Sequence, residues 1–160
     1  LEHVIAAKAV MLHEAAQPAF HDYAHAIVSN AKVLAQSLLD EGLTLVTGGT
    51  DNHLMIIRLG DSGPTGKEVA RAMERAGLVA NANTVPGETR GAFQTSGVRV
   101  GTPAATTFGF GPDEFRTIGK LIAGIVRDPS NADVVKATAG AVRELCHAVE
   151  ARREASHAHR

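Results

Sequence analysis

Arg99 is the side chain in this sequence best placed to do chemistry. In the run Gly97-Val98-Arg99-Val100-Gly101, strand alternation sends Val98 and Val100 to one face and Arg99 to the other, and the flanking glycines leave the backbone around it unscreened. A guanidinium on a rigid strand, beneath a long polar loop, can grip a carboxylate or phosphate through two parallel hydrogen bonds. The pattern by itself more often describes an arginine on the solvated face of a sheet. The loop Asn81-Ala82-Asn83-Thr84-Val85-Pro86 supplies amides that both donate and accept, which suits the edge of a heterocycle. Ordinary turn chemistry accounts for the same residues, because Asn tolerates unusual backbone angles.

Other constellations carry less. Asp51, Asn52 and His53 stand at a strand junction, where a carboxylate and an imidazole could work as an acid/base pair. Turn chemistry explains the first two, and a histidine there is more often a hydrogen-bonded structural residue. Thr65-Gly66-Lys67-Glu68 has the outline of the end of a phosphate loop, but Asp61 stands where its first glycine belongs and Glu68 replaces the hydroxyl that would meet magnesium. Gly109-Phe110-Gly111 lacks the third glycine of a dinucleotide fingerprint, since position 114 is Glu. His147, His157 and His159 lie near a fraying end with no firm carboxylate or cysteine beside them, which argues against a metal site. No nucleophile and base pair stands out, so the residues alone reach only a site for a small anionic ligand.

The elements that must position these groups can be read from periodicity. Residues 1–17 are apolar almost all round, a helix that expects burial on several sides. Pro18 suits the first turn of a second helix, whose apolar face runs from Phe20 to Leu38 and which stops near Gly42. Residues 43–47 and 53–59 read as two short strands around a turn rich in Gly, Asp and Asn. Thr65 and Glu68 form a capping box for a helix to about Ala76, ended by Gly77. Leu78-Val79-Ala80 reads as a third strand, and Asn81 to Gly97 as a long polar loop of the kind that is often functional. Val98-Arg99-Val100 is a further strand, followed by a turn region from Gly101 to Pro112. Two helices close the chain, one from Pro112 through Ile125 and one from about Asn131 past Leu145, with residues 152–160 frayed. The order is that of an α+β or α/β layer with helices on one face.

Composition sets outer bounds. At 160 residues and 44% hydrophobic the chain fits one domain, or one and a fraction, and can hold a core without disulfides or a structural metal. Sixteen Lys and Arg against 17 Asp and Glu give a net charge of −1, which removes the electrostatic footprint of a nucleic-acid or anionic-membrane binder. No apolar run approaches the roughly 18 residues a membrane span needs. The single cysteine, Cys146, cannot bridge internally and fits a reducing compartment, pointing to the cytoplasm. The sequence starts with Leu in helical pattern, so the chain reads as a piece of something longer.

Four segments together carry a resemblance. They are residues 3–10 (HVIAAKAV), 48–54 (GGTDNHL), 65–68 (TGKE) and, most specific, 95–104 (TSGVRVGTPA). In this order and spacing, covering roughly Leu1 to Asp128, they closely resemble serine hydroxymethyltransferase. The resemblance implies the small C-terminal α/β domain of an aspartate-aminotransferase-like, fold type I enzyme. Residues 1–40 would be helices linking it to a large domain, with a long first helix belonging to the latter, and residues 41–160 the small domain. It implies serine–glycine one-carbon transfer with pyridoxal 5'-phosphate as cofactor and tetrahydrofolate as cosubstrate, in a homodimer or homotetramer. Arg99 matches the arginine that binds the amino-acid carboxylate, and Asn83 the asparagine that meets the folate pterin. Asp51 and His53 fall in a family motif without an assigned chemical role.

Two segments depart from the family pattern. Ala82 stands where a basic residue is common, and Gly87-Glu88-Thr89-Arg90 replaces a segment resembling Asn-Asp-Pro-Lys. Both lie in the loop that would face folate. A specialised relative, such as an α-methylserine hydroxymethyltransferase or an aldolase, and a stand-alone amino-acid- or folate-binding module are the alternatives. None of the five lysines (8, 32, 67, 120 and 136) has the family's cofactor-lysine context. The chain by itself is therefore expected to contain no catalytic or cofactor-binding residue and to be inactive.

Overall fold

Strand alternation sets the centre of the molecule. In the computed structural model, which describes residues 1–158, Leu54–Arg58 (β2) buries Met55 and Ile57, and Gly97–Gly101 (β4) buries Val98 and Val100. These strands pair antiparallel with Met55 opposite Val100 and Ile57 opposite Val98, so the four side chains share one face. Thr44–Leu45 (β1) and Asn81–Asn83 (β3) add to the edges, giving an all-antiparallel sheet in the order β1-β2-β4-β3. Here antiparallel pairing makes the architecture an α+β layer.

Helices complete the core against the apolar face. Pro18–Asp40 (α2) contributes Ala31, Leu34, Ala35 and Leu38, and Gly66–Arg75 (α3) contributes Val69, Ala72 and Met73. Pro112–Arg127 (α5) supplies Phe115, Ile122 and Ile125, and Ala132–Ala158 (α6) supplies Val135 and Val149, all in one cluster with the strands. Helices α2 and α5 approach closely because Gly119 has no side chain: a Cβ there would lie 2.3 Å from Ser37 Oγ, which donates to the Arg116 carbonyl at 2.9 Å. Glycine also sets the ends of two helices. The amides of Gly77 and Leu78 donate to the carbonyls of Glu74 and Met73, and those of Gly42 and Leu43 to Leu39 and Leu38, with both glycines at positive φ.

Four expectations need correction. The first helix, Glu2–Ala15 (α1), buries none of its residues; Leu1 is 85% and Ile5 68% exposed. Burying a helix apolar all round takes neighbours on several sides, and among the described residues none of its residues is buried by such neighbours. The third strand lies at 81–83 rather than 78–80. The helix-ending motif at Gly77 consumes the Leu78 amide and leaves Val79 98% exposed, so the ladder starts where Asn81 meets Arg99. The stretch after Gly101 contains a short helix, Pro103–Phe108 (α4), ended by Gly109 at φ 104°. Finally, α6 stays helical past Arg152, because that side chain binds Glu114 Oε1 at 2.9 Å and the Gly109 carbonyl at 3.1 Å while Arg153 stacks over Phe108. The side chains of residues 156–158, and residues 159–160 altogether, lie outside the described part, as does any metal-ligand role of His157 or His159.

Candidate functional site

The site is built on the face of the sheet turned away from the core. Arg99 is exposed in the middle of β4, as alternation requires, and pairs across the ladder with Asn81 of β3 and Ile56 of β2. Its Nε donates to Asn81 Oδ1 at 2.8 Å. Among the described residues the two terminal nitrogens have no other protein partner, so Asn81 sets the plane of the guanidinium while its two-nitrogen edge stays available for an acceptor. Asn83 stands on the same face opposite Gly97, half-buried, with its Nδ2 donating to the Thr84 carbonyl at 2.7 Å. Arg99 and Asn83 are thus brought together on one edge of the sheet, two ladder positions apart.

Glycine makes that edge possible. A Cβ on Gly97 would come within 2.7 Å of both the Asn83 carbonyl and Val85 Cγ1, and within 2.9 Å of Ile56 Cγ2. A Cβ on Gly101 would meet the His53 carbonyl at 2.9 Å. The motif leading into β4 is anchored from behind by α3. The free amides of Gly66 and Lys67 donate to the Thr95 and Gln94 carbonyls at 2.9 and 3.1 Å, so the first amides of that helix are spent on protein and do not cradle a phosphate. The capping box stands as expected, with the Glu68 amide donating to Thr65 Oγ1 at 3.2 Å and the Thr65 amide donating to Glu68 Oε2 at 2.8 Å. The Thr65 hydrogen bonds hold the Glu68 carboxyl below its usual range. Thr95, buried at φ 57°, is the one non-glycine residue at positive φ among the described residues, a sparsely populated conformation held by its surroundings. Beyond β4, the buried Thr102 hydroxyl donates to the Ile27 carbonyl at 2.9 Å and ties the strand to α2.

The loop after Asn83 is ordered by residues whose part was not legible in pattern. Glu88 accepts from the Ser96 hydroxyl and amide at 2.7 Å each and from the Arg90 amide at 3.0 Å. The Ser96 hydroxyl, first among these, pulls the Glu88 carboxyl down to about 2. Arg90 donates to the carbonyls of Pro64 and Gly63 at 2.8 Å each and to that of Asp61. The Gly87-Glu88-Thr89-Arg90 segment therefore pins the loop to its neighbours, and the Arg90 charge is committed to carbonyls. Arg58 of β2, opposite Gly97, shares the face of Arg99 and donates to the Pro86 carbonyl at 3.2 Å. Its signal in the sequence was the alternation Leu54, Ile56, Arg58, legible only once the register was known.

Asp51 and His53 are not joined as an acid/base pair. Asn52 Oδ1 accepts the Leu54 amide at 2.9 Å in a local turn, and His53 contributes its main-chain carbonyl, which accepts the Thr102 amide at 3.0 Å. Among the described residues, no three His, Cys, Asp or Glu side chains gather as a metal site. No helix of the described residues is long and apolar enough to cross a membrane. A cavity of about 680 Å³ opens beside the Arg99 edge, with His53, Asn81 and Arg99 in its lining together with Phe108, Phe115 and Leu145.

Comparison with known proteins supplies the family. The family model described as serine hydroxymethyltransferase matches residues 1–122. The chain is 49% identical over 152 residues to the serine hydroxymethyltransferase of Erythrobacter litoralis, covering 91% of this chain and 35% of that protein. It is 51% identical over 147 residues to that of Haloarcula marismortui, again covering 91% and 35%. With the enzyme of Caulobacter sp. the identity is 47% over 154 residues, covering 95% and 36%. The chain thus spans about a third of the length of these curated relatives. The span matched by the family model takes in the strand that carries Arg99, and the chain belongs to the serine hydroxymethyltransferase family.

Proposed function

We propose that this chain is the substrate-gripping, C-terminal part of a serine hydroxymethyltransferase, acting in transfer of a one-carbon unit between serine and tetrahydrofolate. The observation that carries this reading is the Arg99 guanidinium, oriented by Asn81 with its outer edge available. A carboxylate placed there accepts two parallel charge-assisted hydrogen bonds, which hold the amino acid in one orientation and fix which bond at its Cα is presented for cleavage. Asn83, on the same sheet edge, presents an amide oxygen toward a heterocycle edge, and we assign it to the folate pterin. Arg58 adds positive charge to the same face and favours an anionic ligand.

Pyridoxal phosphate would supply the electron sink for the carbanion at Cα. The residues present here do not form its cradle. All five lysines are exposed, and the α3 amides are spent on carbonyls. The cofactor is assigned to the remainder of the family-length protein, and the chain by itself is inactive. In this reading the fold is the small domain of fold type I, residues 1–40 are the linking helices, and the exposed apolar α1 packs on the large domain. The whole enzyme works in the cytoplasm as a homodimer or homotetramer. Assay of the family-length enzyme with serine and with α-methylserine, each with and without tetrahydrofolate, tests the proposal. Folate-dependent turnover of serine is expected; turnover of α-methylserine alone, or none with either, overturns it.

A further inference from the structure

Helix α2 carries a pair of imidazoles that nothing in the serine–glycine reaction uses. His21 and His25 are four residues apart, the spacing that stacks side chains on one helix face. Both are exposed, with the side chain of His21 at 74%. Their Nε2 atoms lie 3.2 Å apart, with ring centroids at 4.3 Å and planes tilted by 60°. Zinc takes imidazole nitrogen at about 2.0–2.1 Å, and two such ligands at a tetrahedral angle stand roughly 3.3 Å apart. The two nitrogens are therefore already at the separation a shared cation demands.

We propose that His21 and His25 form a two-imidazole chelate for a divalent cation of the zinc class on the exposed face of α2. Imidazole suits zinc better than hard cations such as magnesium or calcium. Without metal, one Nε2–H donates to the other Nε2, which keeps the two atoms facing each other. Binding requires the donating ring to carry its proton on Nδ1 instead, an exchange through solvent with no net proton released, so that both Nε2 lone pairs meet the cation. Asp22 Oδ1 lies 4.0 Å from His21 Nδ1, beyond hydrogen-bond length, where its charge favours a cationic centre. Among the described residues no third His, Cys, Asp or Glu completes the set, so water or a group from outside fills the remaining positions. The neighbouring Tyr23 hydroxyl hydrogen bonds Thr107 of α4 at 2.7 Å, and a cation clamped across this turn stiffens the segment that carries that contact.

Calorimetric titration of the purified protein with zinc chloride at about pH 7.5, where free imidazole is mostly neutral, tests the site, with imidazole NMR signals read alongside. The expected result is that the His21 and His25 signals shift together. His21→Ala and His25→Ala should each weaken that binding roughly tenfold or more, through loss of the chelate, while His147→Ala leaves it unchanged. Alanine is a good helix former at these exposed positions, so the variants keep their fold. Signals of His21 and His25 that do not move, or affinities that neither substitution changes, overturn the proposal. Activity does not enter the readout, so the outcome is independent of the assignment of Arg99.

Discussion

Asn81 faces Arg99 across the β3–β4 ladder and accepts a 2.8 Å hydrogen bond from its Nε. One residue at the first position of a three-residue edge strand thereby sets the plane of the side chain on which substrate binding is proposed to turn. Asn81→Ala should leave Arg99 in place but free to rotate. Charge-assisted hydrogen bonds contribute about 1.5–3 kcal/mol, so the KM for serine should rise roughly tenfold or more, with a smaller change in kcat. Steady-state kinetics of the family-length enzyme decide this; unchanged KM would mean that Asn81 does not position the guanidinium.

Close approach at Gly97 gives a stability prediction separate from catalysis. A methyl there meets the Asn83 carbonyl and Val85 Cγ1 at 2.7 Å, and overpacking of this kind costs about 1–3 kcal/mol. Gly97→Ala should lower Tm by several degrees. Gly140, inside α6 with nothing within 4 Å of the place a methyl would occupy, serves as the contrast: Gly140→Ala should be neutral or stabilising by up to about 1 kcal/mol. Thermal melts of the two variants should move in different directions or, at the least, by clearly different amounts.

Glu88 ties loop order to acidity. Its carboxyl is pulled from 4.5 down to about 2, chiefly by the Ser96 hydroxyl. Because the pKa is depressed in the folded state, the stabilisation is present above about 4.5 and is lost as pH falls through the interval toward about 2. Hydrogen exchange at the Ser96 amide, which donates to Glu88 Oε2 at 2.7 Å, should lose protection across that window beyond the intrinsic pH effect. In Glu88→Gln the extra acid dependence should disappear; if it persists, another group sets it.

Local signals in the sequence translated directly into structure. The Thr65–Glu68 capping box, the glycine stops at 42 and 77, and the outward Arg99 between inward valines all depend on residues within a few positions of one another. What escaped pattern reading depends on register or on distant partners. Asn81 as the partner of Arg99 follows only from the ladder pairing, and Arg58 joins the site only because β2 lies beside β4. The role of Arg90 is fixed by carbonyls 26 to 29 residues away. The two consecutive threonines of α4, weak helix formers, hid a helix whose Pro103 start and Gly109 stop were both present. The all-apolar pattern of α1 gave its composition correctly, but burial depends on what packs against it, and none of its residues is buried here.

The central claim is that the planar fork of Arg99 grips the amino-acid carboxylate. Lysine keeps the charge but loses the second parallel hydrogen bond and the plane set by Asn81. Steady-state kinetics of Arg99→Lys in the family-length enzyme test this most directly. A fall in kcat/KM for serine on the order of 100-fold is expected, equivalent to about 2.7 kcal/mol of lost transition-state binding; a value within about twofold of the unsubstituted enzyme would contradict the assignment.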